Sequence, residues 1–148
     1  MLIIVILVIV ALLAVWLYWR ISRRKKALRL LTRHSQNLTD KAVNQALQQQ
    51  NWVQTPLNST PVSDVWGHGV MAFAYQFDAP DADISQALLA SALAQVADEE
   101  DIAPSDVRYP AFEVTDFWIR NQEVHFDVAF MTNQATIDYV TDIDRVNP

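Results

Sequence analysis

The sequence contains no cysteine, only two glycines and, after residue 33, very few basic residues. Without cysteine there is no disulfide, no thiolate metal ligand and no cysteine nucleophile. Gly67 and Gly69 flank a single histidine, and no Lys followed by Ser or Thr comes after them at the spacing of a phosphate-binding loop. No nucleophile-elbow, dinucleotide-binding or metalloprotease pattern is present. The sequence therefore predicts no cofactor, no metal ligand and no catalytic residue, and it favours a function other than catalysis.

The first part of the chain is a long apolar run that contains no charged residue, proline or glycine from Leu2 to Trp19. As a helix, eighteen residues span about 27 Å, close to the hydrocarbon thickness of a bilayer. The run ends in bulky aromatic residues and a basic cluster rather than a small-residue cleavage site, so we predict a retained transmembrane helix over residues 1–19. The predicted membrane-anchoring residues are Trp16, Tyr18, Trp19, Arg20, Arg23, Arg24, Lys25 and Lys26.

Charge is distributed very unevenly along the chain. Residues 1–33 carry seven Lys or Arg and no acid, whereas residues 34–148 carry four Lys or Arg and seventeen Asp or Glu, a net charge of −13. Basic residues that flank a span stay in the cytoplasm, which predicts an N-terminus outside and a cytoplasmic C-terminal domain. The basic segment is expected to contact anionic headgroups, and the acidic domain to bind a protein partner but no nucleic acid. A domain on the outer side of the membrane is the alternative.

Composition divides the rest of the chain into three parts. Residues 20–50 lack proline and glycine and are predicted to be a basic juxtamembrane segment with a stalk helix. This helix could form a homodimer through residues 21–50, or its apolar side chains could pack on the following domain. Prolines interrupt residues 51–67, which are interpreted as a connector, and residues 68–148 form the acidic domain. The apolar positions at helical spacing are Leu28, Leu31, Leu38, Ala42 and Ala46.

The pattern of the domain predicts an α+β fold, with an antiparallel or mixed sheet of about three strands packed against one main helix in the order β-α-β-β-α. Asp83 is expected to be the N-cap of the main helix, with Gln86 at the capping-box position. The last segment fits a short helix or a strand. The predicted elements are a strand over 69–77, a helix over 84–98, strands over 111–120 and 123–131, and the last segment over 135–146.

The last two predicted strands are separated only by Asn121 and Gln122, which predicts a hairpin with a two-residue turn. Because side chains alternate between faces, this turn fixes the register of both strands. The expected pairs on the core face are Ile119 with Val124, Phe117 with Phe126, and Thr115 with Val128. The expected pairs on the polar face are Arg120 with Glu123, Trp118 with His125, and Asp116 with Asp127.

The polar face of this hairpin is the candidate binding surface. Two carboxylates directly opposite one another destabilise a sheet, and an exposed tryptophan is a common anchor for a protein partner. The predicted partner-binding residues are Trp118, His125, Asp116, Asp127, Arg120 and Glu123. The alternative is a membrane-tethered enzyme or metal-binding domain that uses His125, Asp116 and Asp127. Two simpler interpretations stay open, namely an ordinary solvated sheet face and, for His68, a bend before the first strand instead of a ligand-contacting loop.

Overall fold

The computed structural model describes residues 1–62, 69–79 and 83–146, which divide into two compact units, Met1–Arg33 and His34–Pro148. The elements of the chain, in order, are α1 (Leu2–Gln49), β1 (Thr60–Pro61), β2 (Ala72–Asp78), α2 (Gln86–Glu99), β3 (Phe112–Arg120), β4 (Glu123–Phe130) and α3 (Gln134–Val146). The α+β class is confirmed. The described strands form a four-stranded sheet rather than a three-stranded one.

The first unit is the N-terminal part of α1. Among the described residues, one helix is long and apolar enough to span a bilayer, and none of its most apolar window is buried inside the protein. The predicted anchoring aromatics at the end of the apolar run are exposed, with Tyr18 at 75%. A continuous apolar surface of this kind is typical of a helix that contacts lipid. The finding agrees with a single membrane-spanning helix near the N-terminus.

In the second unit, the last turns of α1 are part of the domain. This stretch packs on the domain, because at most 1% of each of four side chains is exposed: Ala42, Val43, Ala46 and Leu47. For Ala42 and Ala46, packing on the domain is one of the two alternatives that the sequence predicts. Ser35 is also buried, and its carbonyl accepts a hydrogen bond of 2.8 Å from the Thr39 hydroxyl. Ser35, Ala42 and Ala46 have small side chains, which allow this part of the helix to approach its neighbours closely.

Three polar side chains join α1 to the segment and strand that follow it. The Asn44 amide donates to the Leu57 carbonyl at 2.9 Å and accepts from the Leu57 N–H at 2.6 Å. The Gln36 amide donates to the carbonyl of Ser59 at 2.9 Å. The Tyr75 hydroxyl donates to the Asp40 carboxylate at 2.7 Å. Each hydrogen bond of this kind stabilises a fold by about 0.5–1.5 kcal/mol, and by more when one partner is charged.

The sheet is antiparallel, with the strand order β1-β2-β4-β3. Its first strand is missing from the sequence prediction, because Thr60 and Pro61 lie inside the predicted connector and pair with Ala74 and Phe73 of β2. Proline is tolerated here because β1 is an edge strand, where one N–H need not join the ladder. β3 forms the opposite edge of the sheet.

The β3–β4 hairpin has the predicted two-residue turn. Asn121 and Gln122 both have positive φ, at 52° and 67°, which is the conformation of a type I′ turn. The predicted partners of Asp116, Phe117, Trp118, Ile119 and Arg120 are confirmed.

The predicted pairing of Thr115 with Val128 is wrong. Val114 faces Val128 instead, and the register shifts between Val114 and Asp116. Thr115 is therefore the extra residue of a β-bulge, which lets Val114 return to the core face while Asp116 stays opposite Asp127.

The two faces of the sheet are covered by different helices. We call the face that carries Phe73, Tyr75, Phe77, Phe117 and Phe126 the aromatic face, and the face that carries Ala72, Ala129, Asp116, Trp118, His125 and Asp127 the α3 face.

On the aromatic face, Phe73 and Phe126 are completely or almost completely buried, and the Phe126 and Tyr75 rings stack at 5.1 Å. Burial of one such aromatic side chain contributes about 1.5–3 kcal/mol. The Tyr75–Asp40 hydrogen bond places the C-terminal part of α1, after Arg33, over this face. The Gln49 amide of α1 donates to Glu99 of α2, so α2 lies beside α1.

The helix α2 begins two residues later than the sequence predicts. Ser85, not Asp83, is its N-cap, with extended backbone angles and a hydroxyl that accepts a hydrogen bond from the Leu88 N–H at 3.3 Å. Gln86 donates its side-chain amide to the Val114 carbonyl of β3 at 2.9 Å and does not complete a capping box. The buried side of the helix includes Leu89, Leu93 and Val96.

The other face is covered by α3, the last segment, which is a helix. Ile137, Tyr139 and Val140 of this helix form a buried cluster with Ala72 and Ala129 of the sheet. The two alanines leave room for the helix to lie close to the strands. Because α3 is short, it covers one part of this face and leaves the part near the hairpin turn exposed.

Candidate functional site

The six predicted partner-binding residues all lie on the β3–β4 hairpin, in three cross-strand pairs. Asp116 is opposite Asp127, Trp118 is opposite His125, and Arg120 is opposite Glu123. The acidic pair is therefore farthest from the turn, the aromatic pair is in the middle, and the oppositely charged pair is next to the turn. They occupy the part of the α3 face that the helix does not fully cover.

The two aspartates border a cavity of about 450 Å³ between the hairpin and the C-terminal half of α3. The bulge at Thr115 lies at its edge. The walls combine carboxylates with aliphatic side chains and one phenol, which suits a ligand with a positive charge and an apolar stem. The lining residues are Thr115, Asp116, Asp127, Tyr139, Asp142, Ile143 and Val146.

The electrostatics of this acidic cavity follow from burial and from like charge. Burial raises the pKa of Asp127, and the nearby Asp116 carboxylate raises it further. Burial also raises the pKa of the Tyr139 hydroxyl, which a hydrogen bond with Thr115 lowers. The charges of Asp127 and Asp116 raise the Tyr139 pKa again. A cation placed between these groups would relieve both the desolvation and the repulsion.

A further carboxylate on the α3 face, that of Glu113, also has a raised pKa. Glu113 precedes the bulge on β3, and burial raises its pKa. The charge of Asp144 on α3 raises that pKa further. Negative charge is therefore concentrated along the whole line where α3 meets β3.

Next to the cavity, Trp118 and His125 form a stacked aromatic platform. Their ring centroids are 3.7 Å apart with an interplanar angle of 6°. Trp118 is 44% exposed, and the His125 Nε2 lies 3.3 Å from the Glu123 carboxylate. The histidine thus interacts with Trp118 and Glu123, and the alternative grouping of His125 with the two aspartates has no support in this geometry.

The alternative function predicted from the sequence also included metal binding by His125, Asp116 and Asp127. Within residues 1–62, 69–79 and 83–146, no three His, Cys, Asp or Glu side chains are grouped so that they could hold a metal ion.

Reasoning from the sequence missed the contribution of α3 to this site. Tyr139, Asp142 and Ile143 line the cavity, but only Ile143 belongs to the helical stripe with Ile137 and Val140. The signal was present in Tyr139, an aromatic residue that falls outside the apolar stripe of a short amphipathic helix. In the structure Tyr139 is buried with Ile137 and Val140 and also lines the cavity.

The glycine–histidine motif can be located only in part. Gly67 and His68 lie outside the described residues, so the hypothesis of a ligand-contacting loop is not addressed. Gly69 has a φ of +103°, which side chains rarely allow, and its carbonyl accepts a hydrogen bond from the Asn133 amide at 2.9 Å. This residue therefore needs to be glycine for its backbone conformation.

The predicted anchoring residues form a second candidate site, at the end of the apolar run. The Arg20 guanidinium lies 5.3 Å from the centre of the Trp16 ring, and the Arg23 guanidinium lies 3.7 Å from that of Trp19. Arg24, Lys25 and Lys26 continue the same helix. Paired cationic and aromatic side chains are favoured at the headgroup level of a bilayer.

No family model, curated protein or solved structure matches this chain. The function proposed below therefore rests on the physical properties of the residues described above.

Proposed function

We propose that this protein is a single-pass membrane protein whose acidic α+β domain binds a protein partner as an accessory, scaffold or adaptor subunit. The observation that carries the proposal is the exposed Trp118–His125 platform beside the acidic cavity. A half-exposed tryptophan held rigid by stacking pays little conformational entropy on binding, which is typical of binding hot spots. The partner surface would be basic, because residues 34–148 carry a net charge of −13.

The proposed location is the cytoplasmic side of a membrane. The apolar helix supports anchoring, and the basic cluster that follows it supports an N-terminus outside and a domain inside. Anionic headgroups are the proposed contact of the basic segment. A reporter that is active only in the cytoplasm, fused after Pro148, should be active, and activity of an exported reporter at the same place would reverse this orientation.

Homodimerisation through residues 21–50 stays a prediction, and fewer residues of this segment are available for it than the sequence suggests. Ala42 and Ala46 are buried within the domain, so these positions cannot also contact a second copy. Leu30 and Leu31 remain exposed and could still do so. Absence of nucleic-acid binding likewise stays a prediction, supported by the acidity of the domain.

A second candidate function is acid–base chemistry in the cavity. Asp127 and Tyr139 both have raised pKa values there, and perturbed groups that line one cavity are a common property of catalytic sites. In this candidate, Asp127→Asn would abolish turnover of a small cationic substrate while leaving partner binding intact. The adaptor proposal expects Trp118→Ala to have the larger effect on binding.

Site-specific photo-crosslinking in native membranes tests the adaptor proposal. A photoreactive amino acid at position 118 of the full chain should give a discrete adduct, identified by mass spectrometry. The same amino acid at Val107, which is 94% exposed and outside the hairpin, is the matched control and should not give that adduct. Identical adducts from both positions, or none from position 118, would contradict the proposed binding face.

A further inference from the structure

The edge of the sheet formed by β3 is open beside the aromatic platform. β3 is the last strand in the order β1-β2-β4-β3, and among the described residues no strand lies beyond it. An edge strand presents a row of unpaired N–H and C=O groups to whatever lies alongside. Near the turn, Ile119 is 50% exposed and Trp118 is 44% exposed, so this end of the edge is accessible.

The hydrogen bonds of the neighbouring strands identify the backbone groups that point outward. The Phe130 N–H of β4 donates to the Met71 carbonyl at 2.8 Å, on the side of β2. Because successive residues of a strand point to opposite sides, His125 of β4 points toward β3 and pairs with Trp118. It follows that Phe117 and Ile119 direct their N–H and C=O groups away from β4, toward the open edge.

The other half of β3 is already protected. The Val114 carbonyl accepts a hydrogen bond from the Gln86 side chain of α2, and the bulge at Thr115 interrupts the regular edge. Bulges and covering side chains are the usual ways in which proteins prevent strands from adding to an edge. Within the described part of the chain, the regular edge that no other residue covers is therefore limited to residues 116–120, enough for a short peptide of extended conformation.

We infer that residues 116–120 of β3 are a docking edge for an extended peptide segment of the partner, in which basic and aliphatic residues alternate. This inference rests on the proposed function and specifies how the partner would bind. Main-chain hydrogen bonds to Phe117 and Ile119 would supply affinity, and side chains on the two faces would supply specificity.

The side chains of β3 determine the pattern of the peptide. On the aromatic face, Phe117 and Ile119 would contact aliphatic residues of the added strand. On the α3 face, Asp116 and the adjoining acidic cavity would attract Lys or Arg. His125 covers one side of the Trp118 ring on the side of β4, so the other side of that ring is directed toward the open edge, where a guanidinium can stack on it.

Charge decides between the candidate occupants of this edge. A second copy of residues 34–148 would bring another net charge of −13 alongside the first, and like-charge juxtaposition opposes such pairing. A basic segment would instead be attracted by this negative charge. The edge is therefore assigned to a basic partner segment and not to another copy of the chain.

The test uses the full chain in phosphatidylcholine nanodiscs, which carry no net charge to attract a basic peptide, and a fluorescent peptide Lys-Val-Arg-Val-Lys-Val-Arg followed by anisotropy. We expect the peptide to bind about tenfold more tightly than an isomer that has the same composition with its basic and aliphatic residues in separate blocks. Methylation of one alternate set of peptide nitrogens should abolish binding, and methylation of the other set should not. Equal binding of the block isomer would overturn the inference.

Variants of the protein locate the binding edge. Ile119→Pro removes an outward N–H without removing a hydrogen bond to β4, so it should weaken peptide binding by about tenfold with little change in thermal stability. Val107→Ala, which alters an exposed aliphatic residue elsewhere, is the control and should leave binding unchanged. Hydrogen exchange at the Phe117 and Ile119 amides should slow when the peptide binds.

Two outcomes separate this inference from the proposed function. If Ile119→Pro binds the peptide normally while Trp118→Ala does not, the face still binds but the edge does not, and only the inference fails. If the full chain forms a concentration-dependent dimer that Ile119→Pro abolishes, the edge belongs to a second copy, which also overturns the inference. The photo-crosslinking at position 118 tests the proposed function independently of both.

Discussion

The cross-strand pair of Asp116 and Asp127 leads to a quantitative prediction about stability. Replacing Asp127 with Asn keeps the size of the side chain and removes one of two opposed charges. Two like charges directly opposite on a sheet cost about 0.2–1 kcal/mol. Because Asp127 is also half-buried, we expect Asp127→Asn to stabilise the domain toward the upper end of this range at pH 7.5. For a unit of this size the expected increase in Tm is about 2–5 °C.

The pH dependence of this gain has a defined sign. Burial and Asp116 raise the pKa of Asp127 above its unfolded value, so the folded domain holds this proton more tightly than the unfolded chain does. The penalty is absent at a pH below the unfolded pKa and appears as the pH rises through the folded pKa. The gain from Asp127→Asn should therefore be present at neutral pH and disappear below about pH 4.

The assay is thermal unfolding of the full chain in zwitterionic micelles, followed by near-UV circular dichroism. Asp127→Asn, Asp116→Asn and the double variant form a mutant cycle, and Asp83→Asn, an exposed acid outside the sheet, is the control. The two single gains should not add, because either substitution removes the same repulsion. A fully additive pair, or a Tm that falls in Asp127→Asn at pH 7.5, would refute the account of the acidic pair.

Three further predictions follow from other contacts. Tyr75→Phe should destabilise the domain by about 1–3 kcal/mol in the same unfolding assay, because the Asp40 carboxylate loses a hydrogen bond of 2.7 Å, whereas an unchanged Tm would mean that water replaces it. Gln122→Gly should raise stability by about 0.5–1 kcal/mol, because glycine adopts the φ of 67° without strain, and a loss would argue against the type I′ turn. Deletion of residues 2–19 should move the protein from the membrane pellet to the detergent-free soluble fraction, and retention in the pellet would show a second attachment.

The hairpin was the most predictable part of the fold. From Glu123 to Val128, β4 alternates between polar and apolar residues, and a shift of β3 by one position would move Phe117 and Ile119 to the face of His125. The two-residue turn then leaves one register. The acidic pair, the Trp118–His125 pair and the order of the site residues follow from this alone.

The bulge in the same hairpin was not predictable from the pattern. An unbulged strand would place Thr115 toward the core opposite Val128, and threonine is common in strands. The bulge arises because Val114 is the better core residue at that depth and because α2 holds the Val114 carbonyl through Gln86. Both reasons depend on packing between distant segments, which no local pattern records.

The short strand β1 and the end of α1 illustrate the same limit. Two residues, Thr60 and Pro61, are too few to show any periodicity, and their position depends on bonds from Gln36 and Asn44 to the residues just before them. Ser35 of α1 is 1% exposed, although its polarity alone would predict a position facing solvent. Its burial results from packing of this part of α1 within the domain, which the local pattern of the helix does not record.

The acidity of the domain and the open edge of β3 are connected by a single physical argument. An uncovered strand end with exposed Trp118 and Ile119 would normally promote self-association, since the same main-chain groups can pair with any extended chain. Here the carboxylates of Asp116 and Asp127, within residues 34–148 of net charge −13, oppose pairing between copies while they favour a basic segment. Neutralising these two acids should therefore increase self-association and weaken binding of the basic peptide at the same time. Sedimentation velocity and anisotropy on the double Asn variant measure both effects, and a variant that loses peptide binding but stays monomeric at high concentration would show that charge does not protect this edge.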